Sequence, residues 1–484
     1  MLSILVCHSY FLRLDQKQIA RAKPYPPLAK LQVVSLLREA GHRVTFFDAM
    51  LAEGIEEYHQ VLALEAPQIV LFYEDNFNFL SKMCLATMRR AACDMIGSAR
   101  RANARVIAAG PDVSDAPAPY LRAGAELALV GEGLSALLEV LPRIDSEPHI
   151  STEVLVRGLS GVASLSAGKV IAASGGRGVA LAQTSGLAAW DLVDIDRYRA
   201  VWMKAHGYFS LNMAASRGCS FRCTWCSKPI WGNQYLQRSP LEVAAEMAHL
   251  KRTCSPDHIW FADDIFGFRV DWVSQFGAAT YAADAQIPFS IQTRADLISE
   301  RMAAALRDAG CQEAWLGAES GSQKILDSMN KGTTVSEILT ARARLKAVGI
   351  RVGFFIQLGY IDEQIEDILA TRDLLTLAQP DEIGVSVSYP LPGTKFYDLV
   401  KAQLRAKTHW QESNDLDMMF HGTYTSDFYR TVRNLLHDQI SLQTADLPLL
   451  PEHERAADAI ERRWQELLKN QLKYRSPELS MALA

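Results

Sequence analysis

Within Arg217-Gly218-Cys219-Ser220-Phe221-Arg222-Cys223-Thr224-Trp225-Cys226, three thiols fall at a C-x3-C-x2-C spacing, short enough for one loop to aim them at a single point. Three thiolates gathered in this way suit an iron–sulfur cluster in which one iron keeps no protein ligand. A closed zinc site wants a fourth ligand, and the next cysteine, Cys254, is remote from the loop. Three buried cysteines acting as small hydrophobes are the plain alternative. The loop, however, is polar, led by glycine and flanked by arginine. Cys219, Cys223 and Cys226 are therefore the metal-ligand candidates.

Further along, polar residues recur just after short apolar runs. Asp263-Asp264 follow one run, Gln292-Thr293-Arg294 end another, Glu319-Ser320-Gly321-Ser322 follow a third, and Gln357 lies in a fourth. A carboxylate or serine can take an amine or a ribose hydroxyl, and a guanidinium can fork onto a carboxylate. One of Asp263 and Asp264 could instead cap the next helix. Before the cysteines, three more stretches stand out: Glu74-Asp75-Asn76-Phe77-Asn78-Phe79, Gly110-Pro111-Asp112 and Gly131-Glu132-Gly133. Their glycines either let backbone approach a ligand or turn the chain, and turn-making is the commoner use.

The elements that would position these residues follow from periodicity. Ser3 to Ser9, Arg43 to Phe47, Gln68 to Phe72, Arg105 to Ala109 and Leu127 to Val130 read as strands. Leu28 to Glu39, Ile55 to Leu64, Ser81 to Arg101 and Leu134 to Leu141 carry helical spacing. Such alternation implies a doubly wound parallel sheet over residues 1–145, with ligands at the strands' carboxyl ends. Residues 146–205 read as a Ser/Gly/Ala-rich linker with strand-like pieces at Thr152 to Val156 and Lys169 to Ala172. Its Gly175-Gly176-Arg177-Gly178 run lacks a Walker lysine. Residues 206–400 repeat a strand–helix unit six times: strands are expected at Leu211 to Ala215, His258 to Phe261, Phe289 to Thr293, Glu313 to Gly317, Arg351 to Leu358 and Glu382 to Tyr389. That number suits a partial barrel with its chemistry at the carboxyl ends. Residues 401–484 form a mostly helical extension. It opens on an aromatic, Met-rich stretch, Trp410 to Tyr424, fit either to line a pocket at the barrel mouth or to close the barrel's bottom.

Bulk properties narrow the classes. A net charge of −5 argues against a nucleic-acid partner held by phosphate contacts. Eight cysteines in 484 residues make no disulfide framework, which fits a reducing cytoplasm. No apolar run is long enough to span a membrane, and the apolar start lacks a basic leader and reads as a strand.

The cysteine spacing, with an aromatic residue before the last cysteine, resembles the radical SAM enzymes. In that family the open iron takes the amino and carboxylate groups of S-adenosylmethionine (SAM). The resemblance implies a [4Fe-4S] cluster, with SAM contacts from Trp225, Asp264, Arg294, Glu319, Ser320 and Gln357, and from Pro392 in Tyr389-Pro390-Leu391-Pro392-Gly393-Thr394. Ala262-Asp263-Asp264 stands where many members carry Gly-Gly-Glu, and Ile361-Asp362-Glu363 where Pro-Gly-Glu is common. The first 145 residues resemble the cobalamin-binding domain of B12-dependent members, which implies cobalamin contacts from Asn76, Phe77, Asn78, Gly110, Pro111, Asp112, Gly131, Glu132 and Gly133. The loop after the first strand, Asp15-Gln16-Lys17-Gln18-Ile19-Ala20, lacks the Asp-x-His-x-x-Gly that supplies cobalt's lower histidine. His8 is the nearest imidazole, and a lone histidine at a strand end is more often structural than a ligand.

The runs Cys226-Ser227-Lys228-Pro229, His258-Ile259-Trp260-Phe261-Ala262-Asp263-Asp264 and Met418-Met419-Phe420 resemble the branch containing anaerobic magnesium-protoporphyrin monomethyl ester cyclase. The implied enzyme makes a 5′-deoxyadenosyl radical and functionalises an unactivated carbon of a small-molecule substrate. Methyl transfer through methylcobalamin is the first expectation and oxidative hydroxylation or cyclisation the second; a non-catalytic corrinoid or metabolite sensor is the third. An electron donor such as flavodoxin or ferredoxin is implied as partner.

Overall fold

A computed structural model describes residues 1–74, 85–172, 187–226, 234–411, 415–444 and 451–476. Among these residues β1 (Ser3–Cys7), β2 (Arg43–Phe47), β3 (Ile69–Tyr73), β4 (Arg105–Ala109), β5 (Leu127–Leu129), β6 (Val162–Ser166) and β7 (Lys169–Ala172) form one sheet, ordered β2-β1-β3-β4-β5-β6-β7. The first five run parallel, and β6 and β7 add antiparallel. The sequences of β1 and β3, SILVC and IVLFY, are unbroken apolar runs because both faces are covered. Ile4, Val6, Ile69 and Leu71 pack with Val33, Leu37 and Leu137 on one face. On the other, Leu5, Val70 and Phe72 pack with Tyr58, Leu62 and Ile96. The doubly wound sheet is therefore present as expected.

One expected strand is a helix. Thr152–Leu155 forms a single α-turn although Thr and Val favour strands. Ser151, extended at the cap position, lets the chain turn instead and buries Leu155 under the first sheet.

The second sheet consists of β8 (Ser210–Met213), β11 (His258–Phe261), β12 (Phe289–Thr293), β13 (Cys311–Glu319), β14 (Arg351–Leu358) and β15 (Glu382–Val387). These parallel strands are ordered β15-β14-β13-β12-β11-β8, with helices between successive strands. A short hairpin of β9 (Ser216–Gly218) and β10 (Tyr235–Gln237) leads in and out of the cysteine loop. β8 and β15 are the two edges, so the barrel is partial.

The connection after β1 lies against that open side. Asp15 caps the helix Gln16–Arg21, accepting from the Gln18 N–H, so the loop that lacks the cobalt-ligand motif is used as a helix start. Beyond it Tyr25 meets Ser210 of β8 at 3.1 Å, the Asn212 amide donates to Pro26 O at 3.0 Å, and Trp202 donates to Pro24 O at 2.7 Å. Arg21 reaches Glu382 of β15 at 3.9 Å.

The C-terminal helix Ser426–Thr444 packs beside β15 and Pro451–Asn470 packs on it, burying Phe428, Tyr429, Val432 and Trp464. Among the described residues no helix is long and apolar enough to cross a membrane.

Candidate active site

Gly218 sets the entry to the cysteine loop. It has φ +74°, and a Cβ there would stand 2.3 Å from the O of Gln234, just before the paired strand, so only glycine fits. Beyond it the loop is pinned from below. Thr224 donates its N–H to Met329 O at 2.9 Å and shares a 2.6 Å hydrogen bond with the Tyr360 hydroxyl. Asn330 donates to Arg222 O at 2.9 Å, and the Phe396 N–H donates to Thr224 O at 3.0 Å. Tyr360 lies just past the carboxyl end of β14, Met329 closes the helix Gln323–Ser328 that follows β13, and Phe396 sits in the helix Lys395–Val400 that follows β15. Cys219 is buried, and Cys223 and Cys226 are half-buried. Among the described residues no three Cys, His, Asp or Glu side chains converge as the ligands of a single ion would. A cluster asks for something else, since each thiolate binds a different iron.

Arg294, at the end of β12, is the loop's cationic neighbour. Its Nε donates to Asp296 at 2.9 Å, and its second terminal nitrogen donates to Lys331 O at 2.6 Å and Thr333 at 3.0 Å. The remaining nitrogen points at Cys223 Sγ, 3.7 Å away, while the guanidinium lies 3.7 Å from the Phe221 ring centroid. So fixed, Arg294 presents a permanent charge to the Cys223 sulfur.

The other candidates at the mouth divide by how they are used. Glu319 ends β13 at φ +62° beside a register shift, and its carboxylate takes the Lys331 ammonium at 2.8 Å. Both side chains are 6 % exposed, so an ion pair is held at the strand ends where desolvation is costly unless another polar group joins it. Lys331 gave no motif in the sequence. Only the fold shows it, because the turn after helix Gln323–Ser328 brings it back under the cysteine loop.

Gln357 donates to Ser388 at 3.1 Å inside the barrel. Pro392 is half-buried in the turn that leads to Phe396. Trp225 is half-buried, and its indole nitrogen, fully covered, has no protein partner among the described residues. Ser320 is drawn the other way: it meets Thr371 at 3.2 Å and accepts from the Ser322 N–H, docking helix Ile365–Ala378. Gly321 allows that approach, since a Cβ there would lie 2.1 Å from Ala370 O.

Neither Asp263 nor Asp264 caps the following helix, which starts at Val270 after Arg269. Asp263 instead accepts from the Ala215 N–H at 3.0 Å and from the Ser216 hydroxyl, tying the end of β11 to the entry of the cysteine hairpin. Burial pushes its carboxyl up to about 7 against those two donors. Asp264 is half-buried beside it. Glu363, in the segment that replaces Pro-Gly-Glu, takes the Gly359 N–H at 2.7 Å, and burial pushes its carboxyl up to about 8.

At the first sheet's carboxyl ends, the Gly-Glu-Gly glutamate meets the barrel. Glu132 pairs with Arg217, two residues before Cys219, and Arg217 also donates to Gln32. One Glu132 oxygen and one Glu74 oxygen are buried without a protein partner among the described residues. The Glu74 oxygen that is engaged accepts from Ser9 through N–H and hydroxyl, at 2.9 and 2.7 Å.

Gly110 has φ +141°, and a Cβ on it would stand 2.6 Å from Glu74 Cβ; at Gly133, φ +74°, the obstacle is Leu129 at 2.8 Å. Those glycines answer to protein neighbours. Gly131 takes a 2.9 Å hydrogen bond from its N–H to Ser114. Pro111 begins a short helix, and Asp112 is held by Arg89 at 2.5 Å and Tyr120 at 2.7 Å; burial pushes its carboxyl up, but His409, Arg89 and Tyr120 together keep it far below the usual range. Asn76, Phe77 and Asn78 lie outside the described residues, as does the Gly175–Gly178 run. His8 is structural: its Nε2 lies 3.0 Å from both Asp48 and the Ala49 N–H.

The Met-rich tail sits at the mouth. Met418 lies against Gly359 just past β14, Trp410 packs on Tyr389 with centroids 4.5 Å apart, and the Ala86 N–H donates to Trp410 O at 2.8 Å. His409 approaches Asp112 at 3.4 Å. The stretch therefore straps the first sheet to the barrel's carboxyl end.

Residues 213–375 match the family described as the radical SAM superfamily. Among curated proteins, a Pyrococcus horikoshii protein named as an uncharacterized methyltransferase is 27 % identical over 47 % of this chain and 49 % of its own length. The anaerobic magnesium-protoporphyrin IX monomethyl ester cyclase of Rubrivivax gelatinosus is 24 % identical over 54 % of this chain and 46 % of its own. The chain thus spans about half the length of the curated relatives it matches.

Two solved structures share the fold across both sheets. OxsB, a cobalamin-dependent SAM radical enzyme with aqua-cobalamin bound, superposes with TM-score 0.69 and 15 % identity, covering 96 % of this chain and 71 % of that one. The radical SAM methyltransferase TsrM from Kitasatospora setae, with tryptophan and a SAM analogue bound, gives 0.66 and 17 %, covering 83 % and 76 %. The segment matched by the radical SAM family, residues 213–375, is joined in this chain to a parallel-sheet domain, and the two together have the fold of those two structures.

Proposed function

We propose that the chain is a cobalamin-dependent radical SAM enzyme that methylates an unactivated carbon of a small-molecule substrate. The observation that carries the reading is the Arg217–Glu132 pair: it joins the entry of the cysteine loop to the carboxyl end of the first sheet, so the two candidate cofactor sites share one space.

The residues present fit the groups implied. Three thiolates on a glycine-led loop suit a cluster with an open iron, and the fixed Arg294 charge beside Cys223 eases its reduction. Lys331 and Glu319 form an ammonium–carboxylate pair able to complement the amino-acid end of SAM, and the Trp225 indole N–H supplies a donor. The unpartnered oxygens of Glu74 and Glu132 suit the side-chain amides that rim a corrin. When bound, the cluster and SAM supply a carbon-centred radical and cobalamin a transferable methyl group. The chain's own work is to orient these groups and to exclude water, which the strap of Trp410, Met418 and Met419 serves at the mouth. An electron donor of the flavodoxin or ferredoxin class and a cytoplasmic setting belong to the same proposal.

The test is anaerobic and needs no substrate. Protein reconstituted with iron, sulfide and hydroxocobalamin is reduced and given SAM carrying a deuterated methyl group. Labelled methylcobalamin with S-adenosylhomocysteine supports methyl transfer. Bound cobalamin and 5′-deoxyadenosine without label on cobalt favours the oxidative reading of the cyclase type, and failure to bind cobalamin overturns both.

A further inference from the structure

Burial alternates along β11 and β15, whereas in β14 Phe355 is half-buried between the covered Gly353 and Gln357 of the same face. In β14 and β15 Phe354, Val385 and Val387 are buried against helices, while Phe355, Gly384 and Ser386 are only half-buried. In β11 Ile259 and Phe261 are buried and Trp260 is half-buried. Successive side chains of a strand face opposite ways, so the more accessible set is the one that faces inward. A closed barrel fills that space with side chains. Here the lumen keeps some accessible surface, at Trp260, Phe355, Gly384 and Ser386.

Two glycines shape one wall of it. Gly353 stands in register with Trp315, and Gly384 with Phe355. A Cβ on Gly353 would come within 2.5 Å of the Trp315 ring, and one on Gly384 within 3.3 Å of Phe355. With hydrogens there instead, the two rings lie close to the sheet and stack on each other, centroids 4.8 Å apart and planes 28° from parallel. Trp315 is oriented by its indole N–H, which donates to Glu313 at 3.1 Å.

The charges of the barrel interior are confined to its ends. Glu313 and Arg351 lie 3.8 Å apart at the amino end, and the Lys331–Glu319 pair closes the carboxyl end. Between them the inward residues are aromatics, glycines and the neutral Asn212, Gln292, Gln357 and Ser386.

We infer that the Phe355–Trp315 face is a stacking platform for a planar, uncharged aromatic part of the substrate. The inference rests on the reading of the chain as a radical SAM enzyme with its cofactors at the mouth. Phe355 lies three residues before the end of β14, about 10 Å below the mouth at about 3.3 Å per residue. A group on the platform therefore enters the lumen beneath the cysteine loop. A charged group there would lose its hydration without a partner, whereas an aromatic ring gains a stacked neighbour.

The test uses indole as the planar probe and 1-adamantanol as a compact, non-planar one, in anaerobic equilibrium dialysis against the reconstituted holoprotein. Indole is expected to bind more tightly than adamantanol, and Phe355→Ala to weaken indole about tenfold. Phe355→Leu keeps apolar volume without a flat face; it is expected to retain adamantanol and lose the preference for indole. Equal affinity of the two probes for the wild type, or unchanged indole binding in Phe355→Ala, overturns the platform. The dissociation constant of SAM in the same variants separates the sources of the ring: it stays constant for a substrate platform. A parallel weakening of SAM assigns the face to adenine and overturns the substrate reading. The labelled-methyl experiment on wild-type protein judges the underlying enzyme reading separately.

Discussion

The two sheets use the same residue types at their carboxyl ends to different purposes. Around the cysteine loop the polar side chains leave part of their capacity open: the Trp225 indole, the Lys331–Glu319 pair and the Arg294 nitrogen aimed at Cys223 all address the space in front of the loop. At the first sheet, much of the candidate set is consumed by the protein. Asp112 is saturated by Arg89 and Tyr120, and Gly110 and Gly133 make room for Glu74 and Leu129. The difference shows that a motif at a strand end earns a catalytic reading from its unspent hydrogen-bonding capacity more than from its position.

Breaking the cluster site gives the largest effect. Cys223→Ala should abolish the cluster's absorption and all SAM cleavage in the reconstituted protein, while circular dichroism and cobalamin retention stay at wild-type level because the first sheet folds on its own core. Joint loss of cobalamin would show that the two sites are not separable in this way.

Next in size is the bridge between the regions. Replacing Arg217 with Met leaves Glu132, 7 % exposed, as a buried charge without its partner. A cost of about 3–5 kcal/mol is expected in denaturant unfolding, with a smaller loss for Glu132→Gln. Equal stability of Arg217→Met and wild type would remove the bridge from the account.

A third variant tests the claim that the first sheet's glycines serve packing. Gly110→Ala must adopt φ +141° and displace Glu74, for a loss of about 1–3 kcal/mol with the cluster unchanged.

The smallest effect is a slope. Glu363, pushed up to about 8 by burial, holds its proton more tightly folded than unfolded, where carboxyls titrate near about 4. Its contribution is present below the unfolded value and is lost as pH rises toward about 8. Thermal unfolding followed from pH 5 to 8 should therefore show a shallower decline in Glu363→Gln than in wild type, with Asp263, also raised, supplying part of what remains.

How much of this was legible beforehand follows from distance along the chain. The cysteine loop carries three cysteines and an aromatic residue within ten positions, and the two parallel sheets are written in alternating apolar runs and helical periods. Lys331 was invisible because it joins the site only through a turn that no local pattern marks as catalytic. The role of Glu132 depends on Arg217, 85 residues away. Ser320 was legible as polar at a strand end, but its partner Thr371 lies on a later helix, and only packing decides between docking and ligand contact. The Thr152–Leu155 turn departs from its β-branched composition because strand propensity yields to tertiary packing, here the burial of Leu155 in the first sheet's core.

The central claim is that Cys219, Cys223 and Cys226 hold a cluster whose open iron receives SAM beneath the first sheet. The most direct measurement is electron paramagnetic resonance of the reduced, reconstituted protein with and without SAM. The account predicts a [4Fe-4S]+ signal that changes shape when SAM is added and is lost in Cys223→Ala. A signal indifferent to SAM, or one that persists in Cys223→Ala, would contradict it.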